Sequence, residues 1–284
     1  MTERLDLDVG DDLRLNVLAG GAGDPLLLLH GFTGSAETWD PFRARFETAY
    51  RVAALDLPGH GGSSVPGDPE RYSLPRLADD IARVLDAMRI DRTAMLGYSL
   101  GGRAALHFAL AQGDRLSALI LESASPGIDD EKVRQQRARS DEDLAKFIER
   151  EGITAFVDRW ESLSLWETQR SLSEDVRSQL RRQRLRNDVR GLASSLRGSG
   201  AAAQPSVEDR LADIDVPTLL IAGDLDTKYA AIARHMERSM PNARALIVPD
   251  AGHAVHLEQP DAFAREVLDF LAEVASIRQH EPDV

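Results

Sequence analysis

Four consecutive leucines, Leu26–Leu29, are the feature that most narrows the fold. A strand sends alternate side chains to opposite faces, so an unbroken apolar run needs both faces covered. A parallel sheet flanked by helices meets that condition. Pro25–His30 is therefore read as a doubly buried strand. Val52–Leu57, Thr93–Tyr98, Leu116–Glu122, Pro217–Gly223 and Ala243–Val248 are runs of the same kind. Apolar residues recur at helical spacing between and after them. Leu77, Ile81, Val84, Leu85 and Met88 form one such stripe; Ile232, Met236 and Met240 form another; Phe263, Val267, Phe270 and Leu271 form the last. Residues 4–9 and 13–18 read as alternating strands around the turn Gly10-Asp11-Asp12. Strands alternating with helices predict an α/β fold, a mostly parallel twisted sheet with right-handed crossovers.

One segment breaks the rhythm. From Asp129 to about Gln204 no strand-like run occurs, and Phe147-Ile148, Phe156-Val157, Trp160 and Leu163 mark helical stripes. Residues 129–204 are read as a helical cap inserted into a core of residues 1–128 and 205–284. Charge separates the segment too. The whole chain has 34 Lys+Arg against 47 Asp+Glu, a net −13. Residues 129–190 hold 14 basic and 14 acidic side chains, which leaves 20 against 33 elsewhere. The acidic balance disfavours nucleic acid and anionic membrane surfaces as partners. With no cysteine, disulfides, thiol nucleophiles and Cys-ligated metals are excluded. The first residues do not read as a signal peptide, and no apolar run reaches the roughly 18–20 residues of a membrane span. The expectation is a cytoplasmic protein.

The chemistry centres on Gly97-Tyr98-Ser99-Leu100-Gly101, a G-x-S-x-G pentapeptide between the apolar run Thr93–Leu96 and a helical stretch Leu100–Gln112. Strand–turn–helix is the context that defines a nucleophile elbow. The turn exposes the Ser99 hydroxyl at a helix N-terminus, where the dipole favours developing negative charge. A serine hydroxyl needs a histidine held by a carboxylate, following in the order Ser, acid, His. His253 lies just past the last strand. His256 is assigned a structural or lining role, and His235 sits inside an amphipathic helix. Asp226 is preferred over Asp224 as the acid, because two residues further out its side chain can curl back to an imidazole. The backbone N–H groups of Leu100 and Phe32 are expected to form an oxyanion hole, with Gly31 letting the loop approach closely. His30 is read as an internal hydrogen-bonding residue of that loop.

Together these pieces resemble the α/β-hydrolase superfamily over essentially the whole chain. A closer resemblance is to the 2-succinyl-6-hydroxy-2,4-cyclohexadiene-1-carboxylate synthases of menaquinone biosynthesis. It is carried by Leu29-His30-Gly31-Phe32-Thr33-Gly34-Ser35, by Arg103 after Gly97–Gly102, by Glu122–Ile128, by Gln204-Pro205-Ser206 and by Gly252–Pro260. One departure is Ala124, where glycine is usual. The resemblance implies elimination of pyruvate from 2-succinyl-5-enolpyruvyl-6-hydroxy-3-cyclohexene-1-carboxylate, a carbon–oxygen lyase reaction with no cofactor and no metal. Ser99 would then be the proton-abstracting base, activated by His253 and Asp226. The oxyanion hole would hold charge on the succinyl carbonyl.

The implied partner is a small anionic tricarboxylate, which needs fixed cations. Arg103 lies four residues after Ser99 and so on the same helix face, where it can clamp a carboxylate bidentately. The competing reading is a helix-surface salt bridge. The resemblance also points to Arg137, with Arg134 and Arg139 as competitors, and to Trp160, which could equally be cap core. Tyr98, beside the nucleophile, is read as offering its hydroxyl to the substrate, whereas Lys228 reads as a solvated surface lysine. The alternatives are a serine esterase or C–C hydrolase using the same triad covalently, and a non-catalytic receptor on the same fold. Haloalkane dehalogenases and epoxide hydrolases place a carboxylate at the elbow, where this chain has Ser99.

Overall fold

A computed structural model describes residues 2–280. Eight strands form one sheet: β1 (Glu3–Asp8), β2 (Arg14–Gly20), β3 (Asp24–Leu29), β4 (Tyr50–Leu55), β5 (Thr93–Tyr98), β6 (Leu116–Glu122), β7 (Thr218–Gly223) and β8 (Ala243–Val248). Their spatial order is β1-β2-β4-β3-β5-β6-β7-β8. The β1–β2 and β2–β4 pairings are antiparallel. Every pairing from β4 to β8 is parallel.

The leucine run behaves as its composition requires. Leu27 and Leu29 enter the core on one face, while Leu26 and Leu28 enter the core on the other. The first face is covered by α2 (Leu74–Ala87), α3 (Leu100–Gln112) and α7 (Thr227–Ser239), through residues such as Ile81, Phe108 and Met236. The second is covered by α1 (Asp40–Phe46) and α9 (Pro260–His280), through Phe42, Phe46, Phe263 and Val267. A short helix α8 (Val255–Glu258) precedes α9. Among the described residues no helix is long and apolar enough to cross a membrane.

The connection between β6 and β7 carries α4 (Glu131–Glu161), α5 (Glu174–Leu185) and α6 (Val189–Ser199) and no strand. α4 is broken at Gly152, whose φ of +79° falls outside the helical region. These helices have a small core of their own, Ala145, Ile148, Phe156, Val157, Leu192, Ala193 and Leu196. Leu163, read as part of an apolar stripe, is instead 39% exposed. It precedes a 3-10 turn, Ser164–Ser171, where the α-helical stripe has already ended.

Strand order sets where chemistry can sit. The chain runs from β3 to β4 on one side, then crosses back to place β5 on the other side of β3. Leu29 at the end of β3 is paired with Gly97 near the end of β5. Ligands of open α/β sheets bind at such a switch point, outside the carboxyl ends of the strands.

Candidate active site

The elbow at Ser99 is sterically forced. Ser99 has φ +50° and ψ −105°, a conformation that L-residues avoid. Around it the backbone leaves no room for side chains. A Cβ on Gly97 would lie 2.4 Å from the Gly101 carbonyl oxygen, and a Cβ on Gly101 would lie 2.4 Å from that of Leu29. The tight turn is secured from both neighbouring strands. Ser99 N–H donates to the Glu122 carbonyl at 2.8 Å, and Gly101 N–H donates to the His30 carbonyl at 3.1 Å.

Two strand-end loops bring the partners. Asp226 caps the N-terminus of α7, its Oδ1 accepting from Tyr229 N–H at 3.2 Å. That leaves Oδ2 free to accept from His253 Nδ1–H at 2.7 Å. A carboxylate can only accept, so the imidazole is held with its proton on Nδ1 and a lone pair on Nε2. Ser99 Oγ lies 3.2 Å from Nε2. Asp224 is exposed and reaches no imidazole. His253 is only 3% exposed. Tyr98, Trp166 and Tyr229 wall it, their ring centroids 5.7, 5.5 and 4.6 Å from its own.

The loop after β3 is held by His30. Its Nδ1–H donates to the Gly31 carbonyl at 2.8 Å, and its Nε2 accepts from Leu57 N–H at 3.0 Å. Burial pushes the His30 pKa down to about 4, and that of neighbouring His60 to about 3. Both rings are therefore neutral near pH 7. A Cβ on Gly31 would come within 2.7 Å of the Tyr98 ring, so glycine is what allows the loop to lie against the elbow.

One cavity gathers Ser99, His253, Tyr98, Phe32, Leu100, Arg103, Arg137 and Trp160; Asp226 stands behind His253. Arg103 is the unusual member. Its Nη1 donates to the Ser199 carbonyl at 2.7 Å and sits 3.4 Å from Gln204 Oε1. Among the described residues no carboxylate forms an ion pair with it, so the surface-salt-bridge reading fails. Burial lowers its pKa to about 10, which still leaves the guanidinium charged near neutrality. Arg137 differs: its Nε donates to Asp141 at 2.7 Å and its side chain is 43% exposed. Of its competitors, Arg134 pairs with Glu131 and Arg139 is exposed, and neither lines the cavity. Trp160 packs edge-on to Phe32, with centroids 5.4 Å apart, and its buried Nε1 has no acceptor. It is thus a cap-core ring and a cavity wall at once. Lys228 is exposed.

Sequence reasoning missed several residues. Tyr229 lines the same cavity, and burial raises its pKa. Trp166 lines both this cavity and a neighbouring one of about 180 Å³. Arg184, 5% exposed, faces that second cavity, with its guanidinium 5.5 Å from the Trp166 ring. It donates to Glu161 at 3.0 Å and to Gln169 at 3.2 Å, while its Nε has no partner. Tyr229, three residues after the acid on the first turn of α7, could have been found from its spacing. Arg184 lies among the arginines of α5, and nothing in the sequence distinguishes it from Arg181 or Arg182.

The α/β hydrolase fold family matches residues 24–260, and the chain belongs to that family. Its relatives within the family are narrower in kind. A Bacillus subtilis protein provisionally assigned as a 2-succinyl-6-hydroxy-2,4-cyclohexadiene-1-carboxylate synthase is 41% identical, over 95% of this chain and 99% of that protein. The Salmonella arizonae synthase of the same name is 32% identical, over 90% of this chain and 96% of its own. Among solved structures, MenH from S. aureus superposes with a TM-score of 0.88 at 34% identity, covering 92% of this chain and 98% of that one.

Proposed function

We propose that this protein is a carbon–oxygen lyase of menaquinone biosynthesis. It would convert 2-succinyl-5-enolpyruvyl-6-hydroxy-3-cyclohexene-1-carboxylate to 2-succinyl-6-hydroxy-2,4-cyclohexadiene-1-carboxylate and pyruvate. The relatives' assignments support this reading. The observation that carries it is Arg103, a desolvated guanidinium with no carboxylate of its own, in the Ser99 cavity. A guanidinium partly drawn out of water with only neutral acceptors is costly unless an anionic ligand completes it. The substrate's three carboxylates supply that completion. Arg137 adds a second positive side chain on the helical wall, and Arg184 a third beyond Trp166.

The reaction is a 1,4-elimination. Ser99 takes the proton from the ring carbon bearing the succinyl group, as its own hydroxyl proton passes to His253 Nε2. Asp226 holds the imidazole in the required tautomer and stabilises the imidazolium that forms. The electron pair left behind delocalises onto the succinyl carbonyl. The N–H groups of Phe32 and Leu100 stabilise that oxygen, an electrostatic contribution strongest in a dry cavity. The ring double bond then shifts and the carbon–oxygen bond to enolpyruvate breaks. The abstracted proton returns to the departing enolpyruvate, which becomes pyruvate and leaves the triad as it began. Tyr98 and Trp160 shape the cavity around the ring.

The test is to incubate the protein with the enolpyruvyl substrate and follow pyruvate alongside the diene's ultraviolet absorbance. The two should rise together, one for one, above the uncatalysed rate. No release above that rate contradicts the reading. A stoichiometric burst with p-nitrophenyl acetate followed by fast turnover would favour a covalent esterase instead.

A further inference from the structure

The loop that carries His253 has little regular structure to hold it. Asp250 takes a positive φ of 55°, and residues 249–254 lie between β8 and α8. Its backbone N–H groups are nevertheless satisfied by side chains from both ends. Glu258 Oε2 accepts from Gly252 N–H at 2.7 Å, and Oε1 lies 3.4 Å from Ala254 N, so one carboxylate brackets the histidine. Three residues on, Glu122 accepts from His256 N–H at 3.0 Å and from His256 Nδ1–H at 2.9 Å. Glu122 and His256 are 0% and 1% exposed.

This hydrogen-bonded pair is almost completely buried. A carboxylate taken out of water is a weak device for stability, because its desolvation offsets most of what the hydrogen bonds it accepts return. Its location suggests another use. Glu122 ends β6 beside the elbow, and its carbonyl accepts the Ser99 N–H at 2.8 Å. One residue therefore fixes the nucleophile's backbone through its carbonyl and the base's loop through its carboxylate. The His256 ring stands edge-on to Tyr98 at 4.6 Å, and Tyr98 in turn lies against His253.

We propose that Glu122, acting through His256, and Glu258 are positioning residues that hold His253 in register with Ser99. They touch no substrate; they set the 3.2 Å separation across which the proton moves. The proposal rests on His253 accepting the Ser99 hydroxyl proton and not on which substrate the pair serves.

Glu122→Gln keeps the volume but turns an amide NH₂ toward one of two N–H donors. A misplacement near 1 Å can cost on the order of 100-fold in rate, so kcat should fall roughly 10- to 100-fold with KM little changed. Glu258→Gln keeps one acceptor, and His256→Gln keeps a donor and the backbone N–H; both should show smaller falls of the same kind. The second readout needs no substrate. The far-downfield proton resonance of the His253–Asp226 hydrogen bond, assigned by its loss in His253→Gln, should shift or broaden in Glu122→Gln and Glu258→Gln. A variant that folds with kcat and this resonance both retained overturns the proposal. So does a loss of melting temperature alone, since that leaves the pair a structural element only. If Glu122→Gln does not fold, Glu258→Gln and His256→Gln decide by the same two criteria. A changed resonance in a protein whose wild type releases no pyruvate upholds the clamp and sinks the substrate assignment, so the two failures are distinguishable.

Discussion

The two walls of the Ser99 cavity are held in place by different means. The sheet-edge wall is fixed by backbone. Ser99, Leu100, Phe32 and His253 sit on turns that strand ends impose, with glycines where no Cβ fits. The helical wall is fixed by side chains. Arg137 leans on Asp141 and Trp160 on Phe32 and Phe156, and in the neighbouring cavity Arg184 leans on Glu161 and Gln169. Backbone placement suits groups that must meet to within tenths of an ångström. Side-chain placement suits recognition of charge, where reach and adjustment are useful. The contrast assigns proton transfer to the first wall and most carboxylate reading to the second. Arg103 belongs to both: it is on α3, one turn past the nucleophile, yet is tied to the Ser199 carbonyl at the end of α6.

Removing the sheet-edge base should have the largest effect. Ser99→Ala should lower kcat/KM by on the order of 10³-fold or more, with substrate binding largely kept, measured by pyruvate release and by equilibrium titration. A fall of only a few-fold would break the contrast at its strongest point. Next come the cations. Arg103→Ala removes charged hydrogen bonds of about 1.5–3 kcal/mol each, so kcat/KM for the tricarboxylate should drop roughly 10- to 100-fold or more. Hydrolysis of a neutral ester, where measurable, should change little. Arg137 is partly exposed and already shares Asp141, so Arg137→Ala should cost only about 0.2–1 kcal/mol, a few-fold effect seen mainly in KM. Equal losses for both arginines would erase the distinction between a desolvated and a solvated clamp.

The smallest effect concerns the floor beneath the oxyanion loop. His30 and His60 have folded pKa values of about 4 and about 3, depressed by burial from 6.5. The unfolded chain therefore binds their protons first as the pH falls. Their contribution is complete above pH 6.5 and is lost progressively from 6.5 toward 4 and 3. Urea midpoints should already decline in the upper part of that window, before carboxylates with ordinary values of about 4 titrate. His60→Phe should flatten part of this slope, and an unchanged slope would show that the His60 ring is not held neutral by burial.

The same contrast explains what the sequence made legible. The elbow, the triad and the doubly buried strands were readable because each rests on local rules: a pentapeptide between a strand and a helix, an acid and a histidine just past strand ends, an unbroken leucine run. Leu26–Leu29 divide between two cores as alternation demands. The helical wall was readable in outline only. Which arginine faces the cavity depends on the rotation of α4 and α5 and on the break at Gly152, and helical spacing does not fix these. The role of Glu122 was hidden for another reason. A glutamate closing an apolar strand looks like a solvent-facing end, and only the fold brings His256, more than a hundred residues later, onto it.

The most direct test of the central claim is deuterium substitution at the ring carbon bearing the succinyl group. If Ser99 takes that proton through His253, the wild-type enzyme should show a primary isotope effect on kcat/KM for pyruvate release, and Ser99→Ala should lose the catalysed rate. Pyruvate release that proceeds undiminished in Ser99→Ala, with the isotope effect intact, would contradict the account.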